Sequence, residues 1–448
     1  MSDDYDLPDG WVVKPLGDAV QPVKDKVDPT SVPEANYVGL EHVEAHSMRL
    51  LGHGHGSDVK STKTKFSAGD VLYGKLRPYL NKVARPTFDG ISSTDFLVFT
   101  ESTYLEPSYL AQFLNQLSVA NYAHHLSAGV ELPRVDWKSL SALPIPFPIA
   151  KDEQRAVVAQ IERVRGLGES ADAHLRQAHR AIERFRQAVL LAACSGQLTE
   201  AWRSLNPHSA PTVPDRRASR RRQRSEEAMV ELDLPDFPDS YTLATIGTVA
   251  TILEYGTSKK AAIAAEGVPV LRMGNIQDGC LTVEDLKYCP VDREIERLIL
   301  RDGDLLFNRT NSPELVGKTA VFHERAKMTF ASYLIRVRFD PEVADPNFVN
   351  YWLNSAWGRA WAWRVKTDGV SQSNINGTKL GAMPLPLPPI EEQHQIVKVA
   401  SAVLAVADSL VARVDAVGRR SEQASQSVLA RAFKGKLNIT TMIAKAGA

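Results

Sequence analysis

Ala142-Leu-Pro-Ile-Pro-Phe-Pro148 leads after four residues into Glu153-Gln154, and Ala382-Met-Pro-Leu-Pro-Leu-Pro388 leads after three into Glu392-Gln393. Each is followed by a long run of helical composition that closes in Gly-x-Leu, at Gly196-Gln197-Leu198 and at Gly435-Lys436-Leu437. The interval from Gln154 to Gly196 equals that from Gln393 to Gly435, so the two helical runs have the same length. A duplication of this kind states an architecture before any chemistry is considered.

The repeat extends upstream. Leu7-Pro8-Asp9-Gly10-Trp11 matches Phe237-Pro238-Asp239-Ser240-Tyr241, and Gly17 matches Gly247. Ala68-Gly69-Asp70-Val71-Leu72 matches Asp302-Gly303-Asp304-Leu305-Leu306. Glu106-Pro107 and Leu114-Asn115 match Asp345-Pro346 and Leu353-Asn354 at the same spacing. Between these anchors the halves share little. The scaffold is kept while the surface diverges, as expected of two readers of different things on one frame.

At 448 residues with 44% apolar content, the chain can build two domains of ordinary size plus connecting helices. No run of apolar residues reaches the roughly 18 needed to span a membrane, and the acidic start Met1-Ser-Asp-Asp-Tyr-Asp6 is unlike a signal peptide. Cys194, Cys280 and Cys289 lack the spacing of a zinc site or a disulfide framework. The expected location is therefore a reducing cytoplasm, with no membrane partner. Lys and Arg together number 53, as do Asp and Glu. Residues 1–141 are acidic, with 13 basic against 18 acidic side chains, and residues 241–381 are nearly balanced at 17 against 16. Any binding to nucleic acid must then rest on local clusters of charge.

The helical runs carry a heptad in one register. Ile161, Gly168, Leu175, Ile182 and Val189 share a position in the first, with Val164, Ala171, Ala178, Phe185 and Ala192 three residues on. Ala400, Ala407, Val414, Ser421 and Val428, then Val403, Leu410, Val417, Ala424 and Arg431, are their equivalents. An apolar period of 3.5 predicts coiled-coil packing, and short connections at opposite ends would make the helices antiparallel. About 40 residues at 1.5 Å each give a rod on the order of 60 Å that holds two domains apart. The stiff, extended proline runs stop before each helix, where Asp152, Glu153, Glu391 and Glu392 suit the positive end of the helix dipole.

Each globular half reads as mixed α and β. Strands are predicted at Val71–Tyr73, Phe96–Phe99, Leu305–Phe307 and Tyr333–Val337, and helices at Pro107 and Pro346 capped by Glu106 and Asp345. Residues 203–236, with Arg216, Arg217, Arg220, Arg221, Arg222 and Arg224, read as a solvated linker that could also follow a phosphate backbone.

Two variable halves, each followed by a proline run, Glu-Gln and a long helix ending in Gly-x-Leu, resemble the specificity subunit of type I restriction-modification enzymes over essentially the whole chain. The resemblance implies an α+β fold of two mixed α/β target recognition domains, with an internal pseudo-twofold repeat and two long antiparallel coiled-coil helices. The expected division is 1–150 and 237–389 for the recognition domains, 151–199 and 390–437 for the helices, 200–236 for the linker and 438–448 for a tail. It further implies recognition of a bipartite, asymmetric double-stranded DNA target, docking of two methyltransferase subunits, and assembly with restriction subunits. No catalysis and no cofactor are expected in this chain. S-adenosylmethionine, ATP and Mg are expected on the partner subunits.

Sequence absences agree. There is no Asp/Asn-Pro-Pro-Tyr/Phe site for adenine methylation, no glycine-rich turn for S-adenosylmethionine and no phosphate loop. Asp345-Pro-Asn-Phe348 lacks the second proline. His53, His55, His124 and His125 lack neighbouring ligands at metal spacing. The competing readings are a methyltransferase or nuclease with unrecognised signatures, and a coiled-coil adaptor that binds only protein.

The residues expected to touch DNA lie on loops that align between the halves. Lys75, Arg77, Tyr79 and Lys82 follow the first strand, and Arg309, Asn311 and Lys318 follow its counterpart. Arg and Lys suit guanine O6 and N7, and Asn suits adenine N6 and N7. A second pair of loops supplies Arg134 in one half and Gln372, Ser373 and Asn374 in the other. Arg272 and Asn275 are weaker candidates, as are Lys259 and Lys260.

Overall fold

The computed structural model describes residues 7–129, 131–207, 211, 234–263 and 266–436. The arginine-rich run, Leu437 and the tail lie outside them. The chain forms two compact units, Met1–Arg176 with Asp415–Ala448, and Gln177–Val414. Each long helix is therefore divided between units, where the sequence assigned it to a segment of its own.

The proline runs are β-strands. Pro144–Pro148 pairs antiparallel with Trp11–Pro15, and Pro384–Leu387 pairs in the same way with Thr242–Thr245. The amides of Leu16 and Ile246 donate to the carbonyls of Leu143 and Met383, at 2.8 and 3.0 Å. In such a ladder alternate residues face the partner. Prolines at every second position occupy the non-bonded places, so no ladder hydrogen bond is lost. The outward carbonyls are also used, because the Tyr109 hydroxyl donates to Pro146 at 2.7 Å and the Trp352 indole to Pro384 at 2.8 Å.

The first unit builds a three-stranded antiparallel sheet with Val71–Gly74 between Val83–Ala84 and Phe96–Phe99. The second unit repeats it with Leu305–Asn308 between Thr319–Val321 and Leu334–Phe339, and adds Ala250–Tyr255 beyond the last. A second sheet in each unit contains one parallel pair, Asn36–Val38 beside Gly90–Ser92 and Val270–Leu271 beside Thr329–Phe330. The helices Pro107–Leu114 and Pro346–Asn354 cover the first sheet. Asp345 caps its helix by accepting from the Asn347 amide at 2.8 Å. Glu106 does not cap, contrary to expectation, because its carboxylate pairs with Arg155.

Gln154 and Gln393 explain the Glu-Gln motif. Both are fully buried. Gln154 donates to the carbonyls of Tyr104 and Pro148 at 2.7 and 2.9 Å and accepts from the Glu106 amide at 2.9 Å. Gln393 donates to Val343 and Pro388 at 3.0 and 2.8 Å and accepts from the Asp345 amide at 2.8 Å. One amide thus ties the end of the proline strand, the start of the long helix and the start of the covering helix.

The long helices span Lys151–Cys194 and Ile390–Ala432. Within the first unit Val158 and Ile161 share a core with Ala432 and Phe433, and a Cβ at Gly168 would lie 3.4 Å from Ser425. Within the second, Val189 and Ala193 share a core with Ile396 and Ala400, and Arg186 pairs with Asp408. The helices run antiparallel in both, as the connections predict. The seam is incomplete: Phe185, Leu410 and Val417, expected inside it, are exposed. Among the described residues the second helix alone is long and apolar enough by composition to cross a membrane, although Lys398 and Asp408 interrupt its apolar stretch. Alanine and valine carry that apolar character, and Ile396 and Ala400 within the same helix are core residues of the second unit.

The motif glycines close each unit. Gly196 and Gly435 have φ of +81° and +64°, a left-handed helix end that favours glycine. A Cβ on Gly196 would meet Pro238 and the Tyr241 hydroxyl at 2.9 Å, and one on Gly435 would collide with Pro8. Each helix end is therefore packed against the Pro-Asp segment that opens the other repeat.

Candidate nucleic-acid interface

Each unit brings the end of one strand, the start of another and a loop into one backbone frame. In the first, the Lys75 amide donates to the Asp95 carbonyl at 2.9 Å, and the Val135 amide donates to the Lys75 carbonyl at 3.0 Å. In the second, the Arg309 amide donates to Tyr333 at 2.9 Å, and the Ile375 amide donates to Arg309 at 2.9 Å. Leu76 bridges Arg134, and the Arg77 amide donates to Pro133 at 2.7 Å. Thr310 pairs with Asn374 and Asn311 with Ser373. The loops that the sequence paired separately thus meet. The frame aligns Lys75 with Arg309, Arg77 with Asn311, Arg134 with Asn374, and Asp95 with Tyr333.

The side chains on this shared frame differ. In the first unit Arg134 donates to the Asp95 carboxylate at 2.7 Å, and Lys75 lies close to both. Burial, with Arg134 and Lys26 nearby, lowers the Lys75 ammonium below its ordinary value, against the opposing pull of Asp95. Arg77 is exposed and holds a left-handed conformation at φ +52° just before Pro78, where an extended backbone is the norm. Strain of this sort clusters at functional sites. Tyr79 is exposed and meets the His124 ring edge-on at 5.4 Å.

In the second unit the Arg309 guanidinium lies 4.9 Å above the Tyr255 ring and donates to the Ser332 carbonyl at 3.3 Å. The Tyr255 hydroxyl accepts from the Gly377 amide at 2.8 Å, which fixes the ring against the loop that carries Asn374. Asn374 donates to Thr310 at 2.8 Å, and Asn311 accepts from the Ser312 amide at 2.8 Å. Gln372 is exposed. A cation held flat on an aromatic face presents its remaining donors in one direction.

Four candidates depart from the sequence expectation. Ser373 is fully buried and its hydroxyl bonds to Asp368. Asn275 is buried, with its amide spent on Thr282, Glu284 and the Arg272 backbone. Lys82 donates to the Leu40 carbonyl at 2.7 Å. Lys318 lines a cavity with Asn350, Asn354 and Asp408, apart from the frame. Residue type pointed to these four, but backbone groups had already claimed Asn275 and Lys82, and the Asp368 carboxylate had claimed Ser373. Of the weaker candidates, Arg272 donates to the Asp285 carbonyl at 2.8 Å, Lys259 is paired with Asp292 and Glu294, and Lys260 is exposed. Asp95, Tyr255 and Tyr333 were missed. The signal for Asp95 and Tyr333 was their place at the start of aligned strands. Among the described residues no cluster of His, Cys, Asp or Glu could hold a metal ion.

Residues 238–413 match the family model described as the Type I restriction modification DNA specificity domain. The chain is 28% identical over 355 residues to the Type I restriction enzyme EcoKI specificity subunit of Escherichia coli (strain K12), covering 78% of this chain and 68% of that protein. It is 26% identical over 337 residues to the StySPI specificity subunit of Salmonella potsdam, covering 75% and 66%. Its fold is shared with the HsdS subunit from Thermoanaerobacter tengcongensis, at TM-score 0.56 and 21% identity over 98% of this chain and 100% of that one. It is also shared with a chain from a structure concerned with complex assembly and conformational transition of a type I R-M system, at TM-score 0.69 and 21% identity over 97% and 100%.

Proposed function

Because this chain belongs to the specificity subunits of type I restriction-modification enzymes, we propose that it supplies sequence recognition to such a complex and performs no chemistry itself. Each unit reads one part of a split, asymmetric duplex DNA target. The long helices set the gap between the parts and dock two methyltransferase subunits, around which restriction subunits assemble. S-adenosylmethionine, ATP and Mg act on those partners. The observation that carries this reading is the backbone frame repeated in both units with different side chains on it. Arg77 and Arg134 in one and Arg309 and Asn374 in the other are residue types that read base edges in the major groove. The exposed Leu167, Phe185, Leu410 and Val417 give the helices apolar surface for protein partners.

Mapping modified adenines in the host genome with and without this gene tests the reading. A bipartite asymmetric motif that loses its modification with the gene is expected. The highly purified chain alone, given labelled S-adenosylmethionine and host DNA, is expected to incorporate no methyl groups. Incorporation would overturn the assignment of chemistry to the partners.

A further inference from the structure

We propose that Asp95 is a specificity-determining residue of the first unit, whose carboxylate holds Arg134 in its reading position and penalises DNA that offers Arg134 no matching base. The proposal rests on the reading that this frame faces duplex DNA.

Asp95 has two separable parts. Its carbonyl accepts from the Lys75 amide and belongs to the frame, whatever the side chain. Its carboxylate accepts from Arg134 Nη2 at 2.7 Å, with the Asp95 side chain 26% and the Arg134 side chain 53% exposed. An ion pair this open to water adds little to folding stability. Nor does it serve affinity, since phosphate binding gains from each cation and loses from an anion set among them. The second unit supplies the comparison. There Tyr333 replaces Asp95 and Asn374 replaces Arg134 in the same frame, so the acid occurs only where the arginine does. An arginine pinned on one side of its fork presents its other donors in a fixed direction. When no base accepts those donors, they are desolvated without a partner, while the carboxylate still adds its negative charge to the DNA-facing surface.

The test uses the full chain assembled with its methyltransferase subunits, as wild type, Asp95→Asn and Asp95→Ala. Binding is measured at several salt concentrations to three kinds of duplex: the mapped target, targets altered one base at a time in either half-site, and unrelated DNA. Asp95→Ala is expected to bind unrelated DNA roughly two- to tenfold more tightly at low salt, because an anion is lost from the DNA-facing surface. It should also lose about tenfold of discrimination within the first half-site. Discrimination in the second half-site should not change. Asp95→Asn keeps an acceptor for Arg134, so it should gain the same unspecific affinity while keeping more discrimination than Asp95→Ala. A parallel loss of affinity for every duplex with a lowered melting temperature would make Asp95 merely structural and overturn the proposal. So would unchanged discrimination in the first half-site. A wild-type complex that does not prefer the mapped target over unrelated DNA would instead overturn the DNA-reading function itself.

Discussion

Gln154 and Gln393 show how much one buried side chain can organise. Each satisfies two carbonyls and one amide with a single carboxamide, and the leucine that could fill the same volume would leave all three unpaired. Buried groups stranded in this way cost about 1–3 kcal/mol each when no water reaches them. Gln393→Leu should therefore destabilise the second unit by roughly 2–4 kcal/mol after partial relaxation, read by denaturant titration of the full chain. A midpoint unchanged from wild type would mean that the motif serves something other than the fold. Arg309, half-buried on the Tyr255 ring and proposed above to read DNA, is the contrasting case. Arg309→Ala should lower discrimination in one half-site by about 1–3 kcal/mol and leave the other intact, as measured by binding of singly altered duplexes to the assembled complex. Equal loss in both half-sites would mark it as a general phosphate contact.

Equivalent elements of the two repeats are not equally secured. Glu392 at the start of the second long helix is 1% exposed and accepts from Thr199 at 2.7 Å, from Arg203 at 3.0 Å and from Tyr241 at 3.3 Å. Glu153, its counterpart, is exposed. Removing one partner of a buried ion pair strands the other, whereas an exposed helix-terminal acid contributes little. Glu392→Ala is expected to cost about 2–4 kcal/mol and Glu153→Ala under about 0.5 kcal/mol, in paired thermal unfolding experiments. Similar losses would refute the asymmetry. Nothing in the shared Glu-Gln motif announced this difference, because it depends on which helix end reaches the glutamate. The elements themselves were legible: the strands before each loop, both long helices and the extended proline runs follow from period and from proline chemistry. That the proline runs pair as strands was not legible, since their partners lie more than a hundred residues away. At the candidate interface the sequence singled out loops that the fold brings together, but residue type also pointed to Ser373, Asn275 and Lys82, whose polar atoms are held within the protein, the first by the Asp368 carboxylate and the other two by backbone carbonyls. It passed over Asp95 and Tyr333, which enter the frame only once two strands are side by side.

The whole chain reads as a repeat that closes on itself, since each unit is completed by the helix end of the other repeat. Phe433 enters the first core, edge-on to Tyr109 and Phe113 at 5.3 and 5.6 Å. Cys194 holds the matching place in the second core, where Trp352 stands in the position of Phe113. Large and small are thus exchanged: phenylalanine against phenylalanine in one unit, cysteine against tryptophan in the other. A fragment ending just after Leu198 lacks residues 415–436 that complete its unit, and carries residues 177–198 that have lost theirs. Helices of one length and register allow a second copy to supply the missing end, and two copies can complete each other symmetrically. We predict that this fragment dimerises and, with the methyltransferase, directs modification to a palindromic target made of the first half-site twice. Its weak point is Cys194, which must sit where Phe433 fills the core. A large-to-small change of that kind costs about 3–5 kcal/mol when nothing collapses into the space, so roughly 2–4 kcal/mol per unit is expected after relaxation. Cys194→Phe in the fragment should recover much of that and tighten the dimer by at least tenfold for each 1.4 kcal/mol regained, as measured by sedimentation equilibrium. The same substitution in the full chain should destabilise the second unit, where Trp352 already occupies the volume. A fragment that stays monomeric with or without the substitution would show that the two helix ends are not interchangeable, despite their shared register.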